Sequence, residues 1–161
     1  MKLEDVPDKP GIYVLIIRKS VCEKIAVGRF GSYVFPKGHY SYTGSALGTR
    51  SLNLRNRIAY HLRTKRRGHW HIDFLLDSKD TVIEGVVLSE ANKLEECDIS
   101  QGIEELRETT VCVKGFGSTD CRSRCQTHLH YFRGCSHRKV VRDVSEIFRK
   151  RDLKPKYLLL N

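Results

Sequence analysis

Nowhere in the 161 residues does an apolar run approach the roughly 18 that a membrane-spanning helix needs. The opening stretch MKLEDVPDKPG carries acids and prolines where a secretory leader would carry an apolar core. The expected location is therefore cytoplasmic, with no membrane partner. Internal repeats and low-complexity tracts are missing too, which excludes a solenoid or a biased linker and leaves one mixed domain. Without a leader, the six cysteines (Cys22, Cys97, Cys112, Cys121, Cys125 and Cys135) are not expected to form a disulfide framework; free thiols or metal ligands suit them better.

What is present is a globular composition, 40% hydrophobic and 30% charged, with a net charge of +10. The charge is unevenly placed. Gly48–His71 holds seven basic residues (Arg50, Arg55, Arg57, Arg63, Lys65, Arg66 and Arg67) and no acid. Glu84–Glu108 reverses this with eight acids against two bases, and His137–Asn161 is basic again, eight against three. A basic face beside an acidic segment suggests a polyanion site near a held cation, although a merely solvated surface gives the same pattern.

Hydrophobic periodicity predicts strands over Gly11–Arg18, Tyr40–Ser45, Val82–Leu88 and Thr127–Arg133, and a hairpin over Ile25–Arg29 and Tyr33–Pro36. Leu54, Ile58 and Leu62 recur every four residues and predict a helix over Thr49–Arg63. His69–Leu76 is a short apolar piece read as helical. Ala91–Arg107 is predicted as a helix with a stripe of Leu94, Cys97, Ile99, Ile103 and Leu106, and Val140–Lys150 as a last basic helix. The carboxyl end, Tyr157–Leu160, reads equally as a closing strand or a dimer contact. The expected fold is α+β: a small central antiparallel sheet of about three core strands, flanked by helices, with an inserted hairpin. Residues 1–135 would form the main domain, and 136–161 a basic extension packed on it.

Two Gly/Tyr elements draw attention: Gly11-Ile12-Tyr13 on the first strand and Tyr42-Thr43-Gly44 on a later one. Either alone is as readily plain sheet. On the helix that follows, Asn53, Arg57 and His61 form one polar stripe beside the apolar one. A planar arginine fork suits phosphate, and a neighbouring histidine can take or relay a proton near neutral pH, although a solvated flank has the same spacing. Trp70, between His69 and His71 and near Asp73, is read as a core anchor.

The ordered set of GIY, YTG, an Arg/His pair and a later glutamate resembles the GIY-YIG nuclease superfamily. The likeness is greatest to a largely prokaryotic branch long described as a domain of unknown function, on SYTGSA (Ser41–Ala46), HWHIDFLL (His69–Leu76), LEEC (Leu94–Cys97) and GFGSTDC with its downstream Cys and His (Gly115–His128). The resemblance implies a metal-dependent endonuclease acting on DNA. Tyr13 and Tyr42, one or both, would assist deprotonation of the attacking water, Arg57 would stabilise the scissile phosphate, and His61 matches a histidine of some members. Glu96 would hold one divalent ion, usually Mg²⁺, with Glu95 the alternative register. Arg55, Arg63, Lys65, Arg66 and Arg67 would grip the nucleic-acid backbone.

Three features depart from that pattern. Tyr13 and Tyr42 lie 29 positions apart, longer than in those nucleases, which implies an inserted strand pair or loop. The terminal asparagine is missing, with Gly117-Ser118-Thr119-Asp120 in its region, and no attached DNA-binding module is seen. A non-catalytic nucleic-acid-binding module is the alternative they leave open. Separately, Cys121, Cys125 and His128 are spaced C-x3-C-x2-H, and Cys97 would complete a structural Zn²⁺ set, unless the cysteines are small core residues.

Overall fold

In the computed structural model, which describes residues 3–48 and 52–160, the chain begins its main sheet at β1 (Gly11–Lys19) and leaves it for a hairpin, β2 (Glu23–Ala26) and β3 (Ser32–Phe35). It returns as β4 (Gly38–Ala46), then forms α1 (Leu54–His61), α2 (His71–Leu76), β5 (Thr81–Glu90) and α3 (Glu96–Glu104). The last elements are β6 (Thr109–Thr110), β7 (Leu129–Phe132), α4 (His137–Lys150) and β8 (Lys156–Leu159). Six strands join in the order β6-β7-β4-β1-β5-β8, while β2 and β3 pair separately. Every adjacent pair is antiparallel.

The α+β architecture and the inserted hairpin are as expected, but the sheet has six strands rather than three. The long strands β1, β4 and β5 contain or overlap the predicted runs Gly11–Arg18, Tyr40–Ser45 and Val82–Leu88. β7 falls within the predicted strand Thr127–Arg133, while of the two edge strands β6, at two residues, is too short to display a period of its own and β8 has four. Tyr157–Leu160 contributes one of these edges, on β5.

Both faces of the sheet are covered, which is why β1 is apolar from Ile12 to Ile17. Tyr13, Leu15 and Ile17 point to a core shared with α1, α2 and the hairpin (Leu54, Ile58, Ile72, Leu75, Ile25 and Phe35). Ile12, Val14 and Ile16 point to a second core under α3 and α4. α4 buries Val140, Val144, Ile147 and Phe148, spaced as one helical stripe, each contributing about 1.5–3 kcal/mol on burial. The basic carboxyl segment is thus part of the second core and, through β8, of the sheet.

Helix boundaries are tighter than periodicity suggests. Asn53 caps α1, its side chain accepting from Asn56 N–H at 2.9 Å, so it belongs to the helix start and not to the polar stripe. Thr49, Arg50 and Ser51 lie outside the described residues. α3 begins only at Glu96, so Leu94 stands 67% exposed instead of joining the apolar stripe carried by Ile99 and Ile103.

The β1–β4 register sets Tyr13 opposite Gly44 and Leu15 opposite Tyr42, on one face. The Tyr13 ring lies across Gly44, where any Cβ would overlap its phenol. Gly44→Ala should therefore displace Tyr13 and cost about 1–3 kcal/mol in urea unfolding; an unchanged midpoint would show that the ring moves freely.

Candidate active site

One end of the sheet opens into a cleft of about 480 Å³. Tyr13, Tyr42, Arg57, His61 and Glu96, which reached notice from four separate segments, all line it. Glu95 does not; it is the residue before α3, so the LEEC register falls on Glu96.

Tyr13 Oη and His61 Nε2 share a hydrogen bond of 2.8 Å across the cleft floor. Both are buried, and among the described residues His61 Nδ1 has no hydrogen-bond partner. Burial first, and then Tyr42, hold the Tyr13 phenol well above its ordinary range; Arg57 works against them, and Glu96 and Asp73 add smaller upward pushes. Burial likewise leads in raising Tyr42, assisted by Glu96 and Asp73. His61 is pushed down to about 3, by burial and then by Arg57 and Arg66. Near neutral pH the floor is therefore two protonated phenols and a neutral imidazole.

Arg57 stands above them with its guanidinium carbon 4.5 Å from the centre of the Trp70 ring. Stacking fixes the plane of the fork while leaving its N–H groups for an anion. Trp70 packs on the first core, as read from the sequence, but it also lines the cleft beneath Arg57. Asp73 is fully buried and accepts from the His69 and Trp70 amides and the Tyr60 hydroxyl, which anchors the start of α2.

Glu96 arrives from the opposite layer, at the first turn of α3. Ser45 on β4 donates to its Oε2 at 2.7 Å, and His128 Nδ1 faces Oε1 at 3.2 Å. Each carboxylate oxygen keeps lone-pair capacity toward the cleft, so a cation with several retained waters fits here. Asp120 is a second carboxylate lining the same space.

The loop over the cleft depends on Gly117, which has φ +70° and leaves no room for a Cβ against the Tyr42 ring. Its N–H donates to His71 Nδ1 at 3.1 Å. Beyond it, Cys97, Cys121, Cys125 and His128 bring their donor atoms within 4.8 Å of one another. The cleft-facing residues given no role in the site by sequence reasoning, Ser45, Trp70, Asp120, Arg122 and Ser123, sit inside motifs or beside cysteines already noted.

The expected backbone-gripping residues are more scattered. Arg66 is 9% exposed in its side chain and bonds the His61 carbonyl and Asp77, so it braces the end of α1. Arg55 bonds the Val6 carbonyl and faces Asp8. Arg63, lying over the Tyr60 ring, stays exposed along with Lys65 and Arg67. Among the described residues, the arginines lining the cleft are Arg57 and Arg122.

A family model described as "Domain of unknown function DUF123" matches residues 12–152. No curated protein and no solved structure matches the chain.

Because His61 has a folded value of about 3 against an ordinary 6.5, it takes up a proton on unfolding between those limits. Its contribution to stability is complete above pH 6.5 and falls as pH drops through that window. The melting temperature of His61→Asn should decline less than wild type from about pH 7.5 to 5; equal slopes would mean that His61 is not held neutral.

Proposed function

The chain belongs to the family described as "Domain of unknown function DUF123", and from the chemistry of its cleft we propose that it is a divalent-metal-dependent endonuclease that hydrolyses phosphodiester bonds in DNA. The observation that carries this reading is the convergence of the Tyr13–His61 pair, the Trp70-stacked Arg57 and Glu96 on one cleft. The order of those residues resembles the GIY-YIG superfamily, and a place in that superfamily is part of the proposal.

Arg57 receives the scissile phosphate, its fork bridging two oxygens and neutralising charge that grows in the transition state. The attacking water sits on Tyr13. As it attacks, its proton passes to Tyr13 Oη while the phenol proton moves to His61 Nε2, which is free of a proton in the Nδ1–H tautomer. A phosphate on Arg57 offsets one of the cations that weaken His61 as a base, so substrate binding itself strengthens the acceptor. Tyr42, a protonated phenol at the same floor, donates to a phosphate oxygen. Glu96, held by Ser45 and His128, provides the carboxylate for a divalent ion such as Mg²⁺. When bound, that ion would polarise the phosphate and stabilise the leaving oxygen. Exposed Arg63, Lys65 and Arg67 hold the flanking backbone without reading its sequence.

The second reading, a nucleic-acid-binding module that does not cut, is favoured by the low basicity of His61. Incubating plasmid and branched DNA with Mg²⁺ or Mn²⁺ separates the two. Under the nuclease reading wild type cuts, and Glu96→Ala and Arg57→Ala each lose about 100-fold or more. Cleavage surviving both substitutions would sink the site; salt-sensitive binding with no cleavage on any substrate selects the module.

Under either reading, affinity falls steeply with salt. Replacing Arg63 and Lys65 together with alanine should flatten the slope of log K against log salt by about 2, one per lost phosphate contact. An unchanged slope in a salt titration would remove those residues from the interface.

A further inference from the structure

Beside the cleft, four soft donors meet from two parts of the fold. Cys97 lies in the first turn of α3; Cys121, Cys125 and His128 lie on the loop that leads into β7. Their donor atoms all fall within 4.8 Å of one another, and all six cysteines of the chain are free thiols. Cys97 and Cys121 sulfurs approach to 3.1 Å as a thiol–thiol hydrogen bond, with no disulfide between them. A tetrahedral Zn²⁺ with Zn–S near ~2.3 Å holds its sulfurs about 3.8 Å apart, so a small outward shift of these two admits the ion.

The imidazole gives the second, independent indication. His128 is only 4% exposed, yet among the described residues neither ring nitrogen makes a hydrogen bond of good geometry. A buried imidazole without partners is costly unless something fills its lone pair. Nδ1 is turned to Glu96 Oε1 at 3.2 Å, which leaves Nε2 for the thiol group. A histidine that gives one nitrogen to a metal and the other N–H to a carboxylate is the usual outer-shell arrangement of zinc sites. The His39–Glu84–His137 group at the other end of the strands lacks this feature. There His39 is bonded by the Cys135 carbonyl and Glu84, and His137 by Glu84 and the Tyr157 hydroxyl, so that cluster is satisfied without a metal.

We propose that Cys97, Cys121, Cys125 and His128 bind one Zn²⁺, and that this ion sets the position of Glu96 through His128. The four-ligand set is closed, so the ion is structural and leaves no position for water or substrate. Its binding releases the thiol protons and ties the loop to the start of α3. Because Asp120, Arg122 and Ser123 flank Cys121 and line the cleft, the same ion fixes one wall of the site. The zinc site stands on its own geometry; its effect on cleavage rests on the nuclease reading.

Metal analysis of the full chain, purified without chelator, tests this directly. One zinc per chain is expected, with a cobalt-substituted protein showing thiolate-to-cobalt charge-transfer absorption. Cys121→Ser and Cys125→Ser should each lose the ion or that absorption, and Glu96→Gln should keep both while losing cleavage. A zinc-free wild type overturns the site, whether all six thiols titrate or two are lost to a disulfide. Zinc present at one per chain with no DNA cleavage overturns the nuclease reading and leaves the zinc site intact. If Cys121→Ser does not fold, the metal content and cobalt spectrum of wild type still decide.

Discussion

The pairing of β1 with β4 places Tyr13 across from Gly44, and most of the cleft follows from it. Strand partners directly opposite share a face, so Tyr13 and Tyr42, on neighbouring rungs, are set side by side despite the hairpin between their strands. The missing side chain at Gly44 lets the Tyr13 ring lie flat along β4 and reach His61 at the end of α1. A slip of one residue would put the two phenols on opposite faces of the sheet.

Around that floor the charges are separated by layer. Arg57 comes from the helix on the tyrosine side and is held by Trp70. Glu96 comes from the opposite side and is held by Ser45, whose side chain faces the second core because it alternates with Gly44. A cation and a carboxylate brought from two layers face one cleft without meeting each other. Each is left with capacity for a ligand of opposite sign, the condition a metal-assisted phosphate site requires. Burial first, and then the nearby Arg57 and Arg66, keep His61 neutral.

Much of this was legible in local pattern. The β-branched run of β1 and the four-residue spacing in α1 depend on neighbours along the chain, which periodicity reports well, whereas the order Tyr13, Tyr42, Arg57, His61, Glu96 was legible as a resemblance to a nuclease superfamily. The edge strand β6 did not show, because two residues have no period to detect, and Tyr157–Leu160 left a closing strand and a dimer contact equally open. Arg66 read as a phosphate-gripping residue by charge alone, yet its guanidinium is consumed by the His61 carbonyl and Asp77. Asp120 and Arg122 carry no periodic signal at all. They face the cleft only because the cysteine loop folds back against α3.

By itself, then, the amino-acid order determined the class of fold and the cysteine spacing, which arise from short-range chemistry, and, through the resemblance it carries, pointed to Tyr13, Tyr42, Arg57, His61 and Glu96. Only the tertiary structure decided which basic residues remain available, which glutamate turns inward and that His128 is buried beside three thiols. Those outcomes depend on strand register and on which layer each helix covers. Both are settled by contacts between residues far apart in the chain, where burial and charge pairing, not local spacing, select the arrangement.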